Sequence, residues 1–428
     1  MVKKINIITL GCSKNTVDSE VLMGKLLSSK YSVTHEAEGN KFHTVIINTC
    51  GFIKDSKQES IDTIIEYAEA KRNGIIKKLY VTGCLSERYK DALKDEIPEV
   101  DGIFGVHELD NILKELSAEN TDIIDRELTT PSHYAYFKIA EGCDRKCSFC
   151  SIPIIRGKHI SKSIEDLLLE ADYIAKKKVK ELILISQDLS YYGIDLNKKR
   201  QITELVRKLS DTGKFDWIRL HYLFPTGFPL DLLDLMNERE NICKYIDIPL
   251  QHINDRILGS MNRGTNKAET IKLIETIRKK VPGVAIRTAF IVGYPGETKK
   301  EFEELKLFVK EFEFERLGVF TYSHEEGTSA FTLKDNISEI AKRSRYDELM
   351  ELQSVISLKN NKKLIGQNLK VLIDRKEDDY FIGRTEYDSP EIDNEVVISS
   401  KALQIGKFYD VNITDADYYD LFGEHKPA

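Results

Sequence analysis

Between residues 132 and 357 the chain repeats one pattern six times: a short run rich in β-branched and aromatic residues, then a longer amphipathic stretch. The runs fall at 134–140, 181–187, 217–223, 245–250, 285–293 and 316–323. Between them lie segments of helical periodicity such as 163–177, opened by the capping pair Ser163 and Asp166, and 267–280. Consecutive strand–helix units joined by right-handed crossovers build a parallel sheet with its helices outside. Six such units predict a partial (β/α)6 barrel, and barrels of this kind carry their sites at the carboxyl ends of the strands.

The first 131 residues alternate as well. Three apolar runs, 5–10, 44–47 and 79–81, each lead within a few residues to a cysteine, in the phrases Leu10-Gly11-Cys12, Asn48-Thr49-Cys50 and Thr82-Gly83-Cys84. These cysteines stand 38 and 34 residues apart, the length of one strand–helix repeat, with helical periodicity at 19–27 and 56–70. Equivalent strand ends of a parallel sheet share one edge, so the three thiols are expected to converge there. A buried structural cysteine is the blander reading of any one of them. Three in register read as a three-thiolate site. Cys243 has no such companions and reads as a core residue.

Residues 358–428 change character. Five short runs, 369–374, 380–385, 395–399, 408–414 and 418–422, are separated by turn formers such as Asp378-Asp379 and Asp388-Ser389-Pro390, which predicts a small antiparallel β barrel. The chain therefore reads as a multidomain α/β protein: an N-terminal parallel α/β domain (1–131), a central partial barrel (132–357) and a C-terminal small β barrel (358–428). From Gly366 onward 7 Lys and Arg stand against 14 Asp and Glu, which carries the whole formal charge of −7. An RNA-binding barrel presents a basic groove with stacking aromatics. Tyr380, Phe381, Tyr418 and Tyr419 are available to stack, but their acidic neighbours repel phosphate, so direct nucleic-acid binding is not expected. The module suits a basic protein partner, or is an ordinary solvated acidic surface.

The chemistry is concentrated in Gly142-Cys143-Asp144-Arg145-Lys146-Cys147-Ser148-Phe149-Cys150, a Cys-x3-Cys-x2-Cys triplet just past the first strand of the predicted barrel. Thiolates are the soft donors that suit a 4Fe–4S cluster, and three of them leave the fourth iron open to a substrate or cofactor. A structural zinc site needs a closed tetrahedron, and within the next thirty or so residues only His159 offers a fourth ligand. Seven cysteines, an odd number, do not form a secreted disulfide framework, so a reducing cytoplasm is expected. No apolar run approaches the roughly eighteen residues of a membrane helix.

The triplet, with an aromatic residue before its last cysteine, resembles the signature loop of the radical S-adenosylmethionine enzymes. With the three-cysteine N-terminal region and a TRAM-like terminal barrel, the whole chain resembles the methylthiotransferase branch of that superfamily. The resemblance implies two 4Fe–4S clusters: a radical-generating one on Cys143, Cys147 and Cys150, whose open iron binds S-adenosylmethionine, and an auxiliary one on Cys12, Cys50 and Cys84. The stretches 11–20, 152–158, 220–225, 246–252 and 287–298 are similar to the type that methylthiolates the β-carbon of an aspartate in protein twelve of the small ribosomal subunit, a strongly basic protein. Phe224 departs from that type, which more often has Tyr. An electron-donor protein is implied as a further partner. Phe149 is a candidate contact for adenine, and Gln187 and Gln251 for the polar parts of S-adenosylmethionine; each has a structural reading beside it. Arg145, Arg156, Arg219 and Arg287 are candidates for the substrate carboxylate, and no side chain is singled out as a catalytic acid, base or nucleophile. Two readings compete: a transfer RNA methylthiotransferase, which needs a basic terminal barrel, and a nonenzymatic iron–sulfur redox or sensor protein, which needs neither a six-unit barrel nor an open iron.

Overall fold

The computed structural model describes residues 4–29, 31–39, 42–118, 125–400 and 402–425. Near the N-terminus, β1 (Lys4–Thr9), β2 (Ser32–His35), β3 (Thr44–Thr49), β4 (Lys78–Gly83) and β5 (Gly102–Ile103) form one parallel sheet in the order β2-β1-β3-β4-β5. Its helices are α1 (Ser13–Ser28), α2 (Lys54–Arg72), α3 (Cys84–Glu96) and α4 (Leu109–Glu115). Helices α1 and α4 cover Ile5, Ile7 and Ile46 on one face, whereas α2 and α3 cover Val45, Ile47, Leu79 and Val81 on the other. This explains why all six residues of the central strand β3 are buried: a strand covered on both faces has no solvent side. The strand order reverses between β1 and β3, and in open α/β sheets the crevice at such a switch point lies at the carboxyl ends of the strands.

The six expected barrel strands are present, with a small antiparallel pair after the first of them that the sequence pattern did not suggest. They are β6 (Tyr134–Lys138), followed by the pair β7 (Ala140–Glu141) and β8 (Ile160–Ser161), then β9 (Glu181–Ile185), β10 (Trp217–Leu220), β11 (Tyr245–Asp247), β12 (Ala285–Val292) and β13 (Arg316–Thr321). The six run parallel in two sheets, β6-β9-β10 and β11-β12-β13. Backbone hydrogen bonds cross the seam, from Cys243 N–H to the Ile218 carbonyl at 3.0 Å and from Leu223 N–H to that of Asp247 at 2.8 Å. The β10 ladder ends earlier than its apolar run because Tyr222 (φ +62°) turns into the left-handed region; past β11, Gln251 (φ +75°) still bridges Phe290 of β12. Ala135, Phe137, Leu182, Leu184, Ile218 and Ile246 face the helices, while Tyr134, Tyr136, Ile183 and Ile185 line the inside, where Val17 of α1 joins them.

The terminal barrel contains β14 (Asn368–Glu377), β15 (Tyr380–Arg384), β16 (Glu395–Ser399), β17 (Phe408–Ala416) and β18 (Asp420–Glu424), closed in the order β14-β15-β16-β18-β17. The small antiparallel barrel is present as expected, with one exception among its strand pairs: β16 and β18 run parallel. A closed ring with an odd number of strands cannot alternate direction all the way round, so one parallel pair is unavoidable. Phe381 is 6% exposed and belongs to the barrel core rather than to a stacking surface. The helix Glu339–Lys362 runs on through the point, between 357 and 358, where the change of pattern divides the sequence.

The loop 385–393 of this module closes the amino end of the partial barrel. Tyr245 Oη donates to Asp393 at 2.7 Å, Arg316 Nε to Asp388 at 2.7 Å, and Tyr134 Oη to Glu391 at 2.8 Å. His133 and Arg384 flank Asp374. Asp374, Asp388 and Asp393 of the terminal module are therefore spent inside this joint, whereas Glu377, Asp378, Asp379, Glu391, Asp410, Asp415, Asp417 and Glu424 are exposed. Among the described residues no helix is long and apolar enough to cross a membrane.

Candidate functional site

Each cysteine of the first triad leaves its strand at the start of the following helix. Cys12 is the N-cap of α1, Cys84 is the first residue of α3, and Cys50 lies three residues before the N-cap of α2. Helix N-termini favour the thiolate over the thiol. Because β1, β3 and β4 are neighbours, the three thiols share one edge as expected. A Cβ added to Gly11, whose φ is +95°, would lie 2.7 Å from Cβ and 2.9 Å from Sγ of Cys50, so the glycine is what lets Cys50 approach the Cys12 turn. Cys50 is further held by Ser60, whose Oγ accepts from its N–H and donates to its carbonyl. Burial pushes the Cys84 thiol up to about 12, against the pull of Arg156. Cys12 is exposed.

The second triad lies in the loop that follows β6 and β7. Ser148 clamps it: its N–H donates to the Met261 carbonyl at 3.0 Å, its carbonyl accepts from Ala330 at 2.7 Å, and its Oγ meets Tyr294 Oη at 2.9 Å. Tyr294 belongs to the Gly293-Tyr294-Pro295-Gly296 turn, so that turn supports the cysteine loop from below. Burial raises Cys143 to about 11 and Cys150 to about 12. Cations and backbone donors offset this: Arg263 Nη1 points at Cys147 Sγ from 3.2 Å, and Arg145 N–H at Cys143 Sγ from 3.4 Å. The Nε2 of His159 pairs with Ser161 Oγ at 3.0 Å, and its ring meets Tyr191 edge-on. Among the described residues no three His, Cys, Asp or Glu side chains converge tightly enough to hold a single metal ion. Cys243 is buried against Trp217, Tyr245 and Leu372, in keeping with a core residue.

The N-terminal domain sits on the carboxyl edge of the partial barrel. Lys57 and Arg88 both bind Glu325, just past β13, at 2.7 and 3.0 Å. At the other side Arg156 links the two triads. Its Nη2 donates to Asn15 Oδ1 at 2.6 Å and lies 3.5 Å from Cys84 Sγ, while its Nη1 binds Asp18 and Glu141 at 3.0 and 2.9 Å. Lys138, at the end of β6, binds the same two carboxylates. Burial by itself would raise Glu141, but Lys138 and then Arg156 hold its carboxyl well below the usual carboxylate range.

The remaining sequence candidates separate clearly. Gln187 donates its Nε2 to Glu141 at 2.9 Å, and its Oε1 is buried without a partner. Glu141, held ionised, can only accept, so the amide must turn its oxygen towards the mouth. Gln251 lies four residues past β11, bridged to Phe290 of β12, on left-handed backbone of a kind that concentrates at functional sites. Phe149 is half-buried and packs against the cluster formed by Ile257, Met261, Tyr294, Tyr322 and Ala330. None of the four arginines singled out for a substrate carboxylate is free. Arg219 pairs with Glu181, and Arg287 with Asp247 and Asp393, towards the closed amino end. Arg145 binds Asp188 and lies 4.0 Å over the Phe224 ring. Buried polar atoms near the triads without a protein partner include Ser13 Oγ, His159 Nδ1, Gln187 Oε1 and Arg263 Nε. Soft donors in threes, nearby cations and unspent polar atoms fit a pair of anionic iron–sulfur clusters and a polar cofactor.

Three family models match this chain: the uncharacterized protein family UPF0004 over residues 4–105, the radical SAM superfamily over 137–309 and the TRAM domain over 365–425. The ribosomal protein uS12 methylthiotransferase RimO of Cytophaga hutchinsonii is 56% identical over 98% of this chain and 97% of its own. The protein of the same name from Bacteroides thetaiotaomicron is 53% identical over 99% and 98%. Among solved structures, the radical S-adenosylmethionine methyltransferase TsrM of Kitasatospora setae superposes with a TM-score of 0.56 at 11% identity, over 88% of this chain and 79% of that one. The cobalamin-dependent radical enzyme OxsB gives 0.53 at 12%, over 83% and 56%. These two likenesses are of fold.

Proposed function

The chain belongs to the ribosomal protein uS12 methylthiotransferase family, a family of radical S-adenosylmethionine enzymes, and from that premise we propose how its residues divide the reaction. The substrate is the β-carbon of an aspartate in small-subunit protein uS12. Cys143, Cys147 and Cys150 hold one 4Fe–4S cluster, and Cys12, Cys50 and Cys84 hold a second. Bound in these sites, the clusters and S-adenosylmethionine supply the one-electron chemistry that exchanges an unactivated C–H bond for C–S–CH3, which no acid, base or side-chain nucleophile achieves at neutral pH.

The observation that carries this reading is Arg156, which joins the loop of one triad to a thiol of the other and so makes a single mouth of the two. Arg263 and Arg145 offset negative charge at the second triad, as Arg156 does at the first. Gln187 offers its free oxygen to the ammonium of S-adenosylmethionine, half-buried Phe149 contacts the adenine, and Gln251, past β11, contacts the polar part of the same cofactor. The exposed acidic residues of the terminal barrel receive the basic protein substrate, and an electron-donor protein reduces the clusters. That acidic surface disfavours a transfer RNA substrate, for which phosphate repulsion would have to be overcome.

The test is anaerobic incubation of reconstituted, reduced protein with S-adenosylmethionine, a sulfur source and either uS12 or bulk transfer RNA. A gain of about 46 daltons on the aspartate peptide, the mass of a methylthio group replacing hydrogen, is expected. Modification of transfer RNA alone would overturn the assignment. Iron and sulfide should each fall by about half when either triad is replaced by alanine, given one cluster per triad.

A further inference from the structure

Lys14, the second residue of α1, is 8% exposed, and its Nζ lies 3.1 Å from the centroid of the Tyr222 ring. Tyr222 stands just past the carboxyl end of β10. Its left-handed backbone is pinned by Asp247, which accepts from its N–H at 2.9 Å, and its ring packs with Tyr136 and Ile183 on the inside of the barrel. Lys14 thus reaches from the first triad's own turn into the barrel mouth.

Among the described residues no carboxylate pairs with this ammonium, which rests on the face of the Tyr222 ring. The neighbouring charges explain why. Asp18 is one helical turn on, at the i+4 position where an acidic partner would normally sit, but it is already bound by Lys138 and Arg156. Glu141 is bound by the same two cations, and Asp188 by Arg145. Arg263, also without a carboxylate at this face, is instead turned to Cys147 Sγ and the Pro249 carbonyl and lies 4.1 Å over the Phe224 ring, so its donors serve the second triad. A buried ammonium held only by a ring is costly unless an anion arrives to complete it, and the arriving anion lands between the two triads.

Resting on the function proposed above, we infer that Lys14 receives the side-chain carboxylate of the substrate aspartate. That carboxylate is one bond from the carbon that reacts. A charge-assisted hydrogen bond to a buried ammonium would fix the β-carbon relative to both clusters. It also makes Lys14 a specificity determinant: asparagine has the same shape without the charge.

The experiment measures binding of two synthetic peptides to the reconstituted full-length protein by fluorescence anisotropy. One peptide spans the modified aspartate of uS12, and the other has asparagine at that position. The unaltered protein is expected to favour the aspartate peptide by about tenfold or more, as loss of a buried charge pair implies. Lys14→Met, which keeps a long apolar stem against Tyr222, is expected to bind both peptides equally. Lys14→Arg is expected to keep part of the preference. Equal binding of the two peptides by the unaltered protein overturns the inference without any variant. So does a preference retained in Lys14→Met, including the case where that variant has lost iron or S-adenosylmethionine binding, because Lys14 would then serve a cofactor. If only transfer RNA is modified, it is the proposed function that fails first, and the peptides are then irrelevant to this protein.

Discussion

Nη2 of Arg156 lies 3.5 Å from Sγ of Cys84, although the two residues are 72 positions apart and sit in different domains. The guanidinium is 2% exposed and also neutralises Asp18 and Glu141. Removing it leaves Lys138 alone with two half-buried carboxylates. Because Lys138 and partial exposure still compensate those carboxylates, Arg156→Met should cost less than breaking a fully buried pair, on the order of 1–3 kcal/mol. Urea unfolding of the metal-free protein checks this, and Arg156→Lys, which keeps the charge and loses the fork, should recover part of the loss.

Gly11 makes room for Cys50. Gly11→Ala places a methyl carbon 2.7 Å from the Cys50 Cβ on a backbone of positive φ. The expected result is a protein that folds but binds about half the iron, with the first triad emptied and the Cys143 triad intact, as one cluster per triad requires. Iron and sulfide analysis decides it. Full iron content would mean that the turn relaxes without moving the thiol.

The joint beneath the barrel depends on charge pairs out of reach of water. Asp388 is 1% exposed, accepts from Arg316 Nε at 2.7 Å and from Thr385 Oγ1 at 2.6 Å. Asp388→Ala strands a buried guanidinium and should lower stability by about 3–5 kcal/mol. The loss should show in equilibrium denaturation, and the terminal barrel should become more susceptible to limited proteolysis at loop 385–393.

Arg256 donates two hydrogen bonds of 2.6 Å to Glu301 at the head of the helix Lys299–Phe312, where the Thr298 N–H adds a third. The side-chain hydrogen bond from Arg256 is the largest influence, and the carboxyl is lowered to about 2. A carboxyl held below its unfolded value contributes its stability above about pH 4.5 and loses it as pH falls through about 2. Glu301→Gln should flatten the acid limb of the stability curve between those values and leave the neutral limb with a constant offset. An unchanged acid limb would contradict the pairing.

The strand–helix alternation, the two cysteine triads and the character of the terminal module were legible in the sequence because each depends on local pattern: periodicity, spacing and composition. Cys12, Cys50 and Cys84 could be brought together on paper because parallel strands put equivalent ends on one edge. The parallel pairing of β16 with β18 follows from closing an odd ring and has no local signature. Nor does the fate of the arginines: Arg219 and Arg287 near strand ends looked as eligible as Arg156, and only the folded chain shows them spent at the closed end of the barrel. The negative charge of the last 63 residues was counted correctly from the sequence, yet part of it turned out to face inward. Chemistry that depends on residue type and short spacing is written along the chain. Which charge meets which, and which cation is left without a partner, is a long-range matter, decided when three domains bury one another's ionisable groups and each must find its counterion in the space that remains.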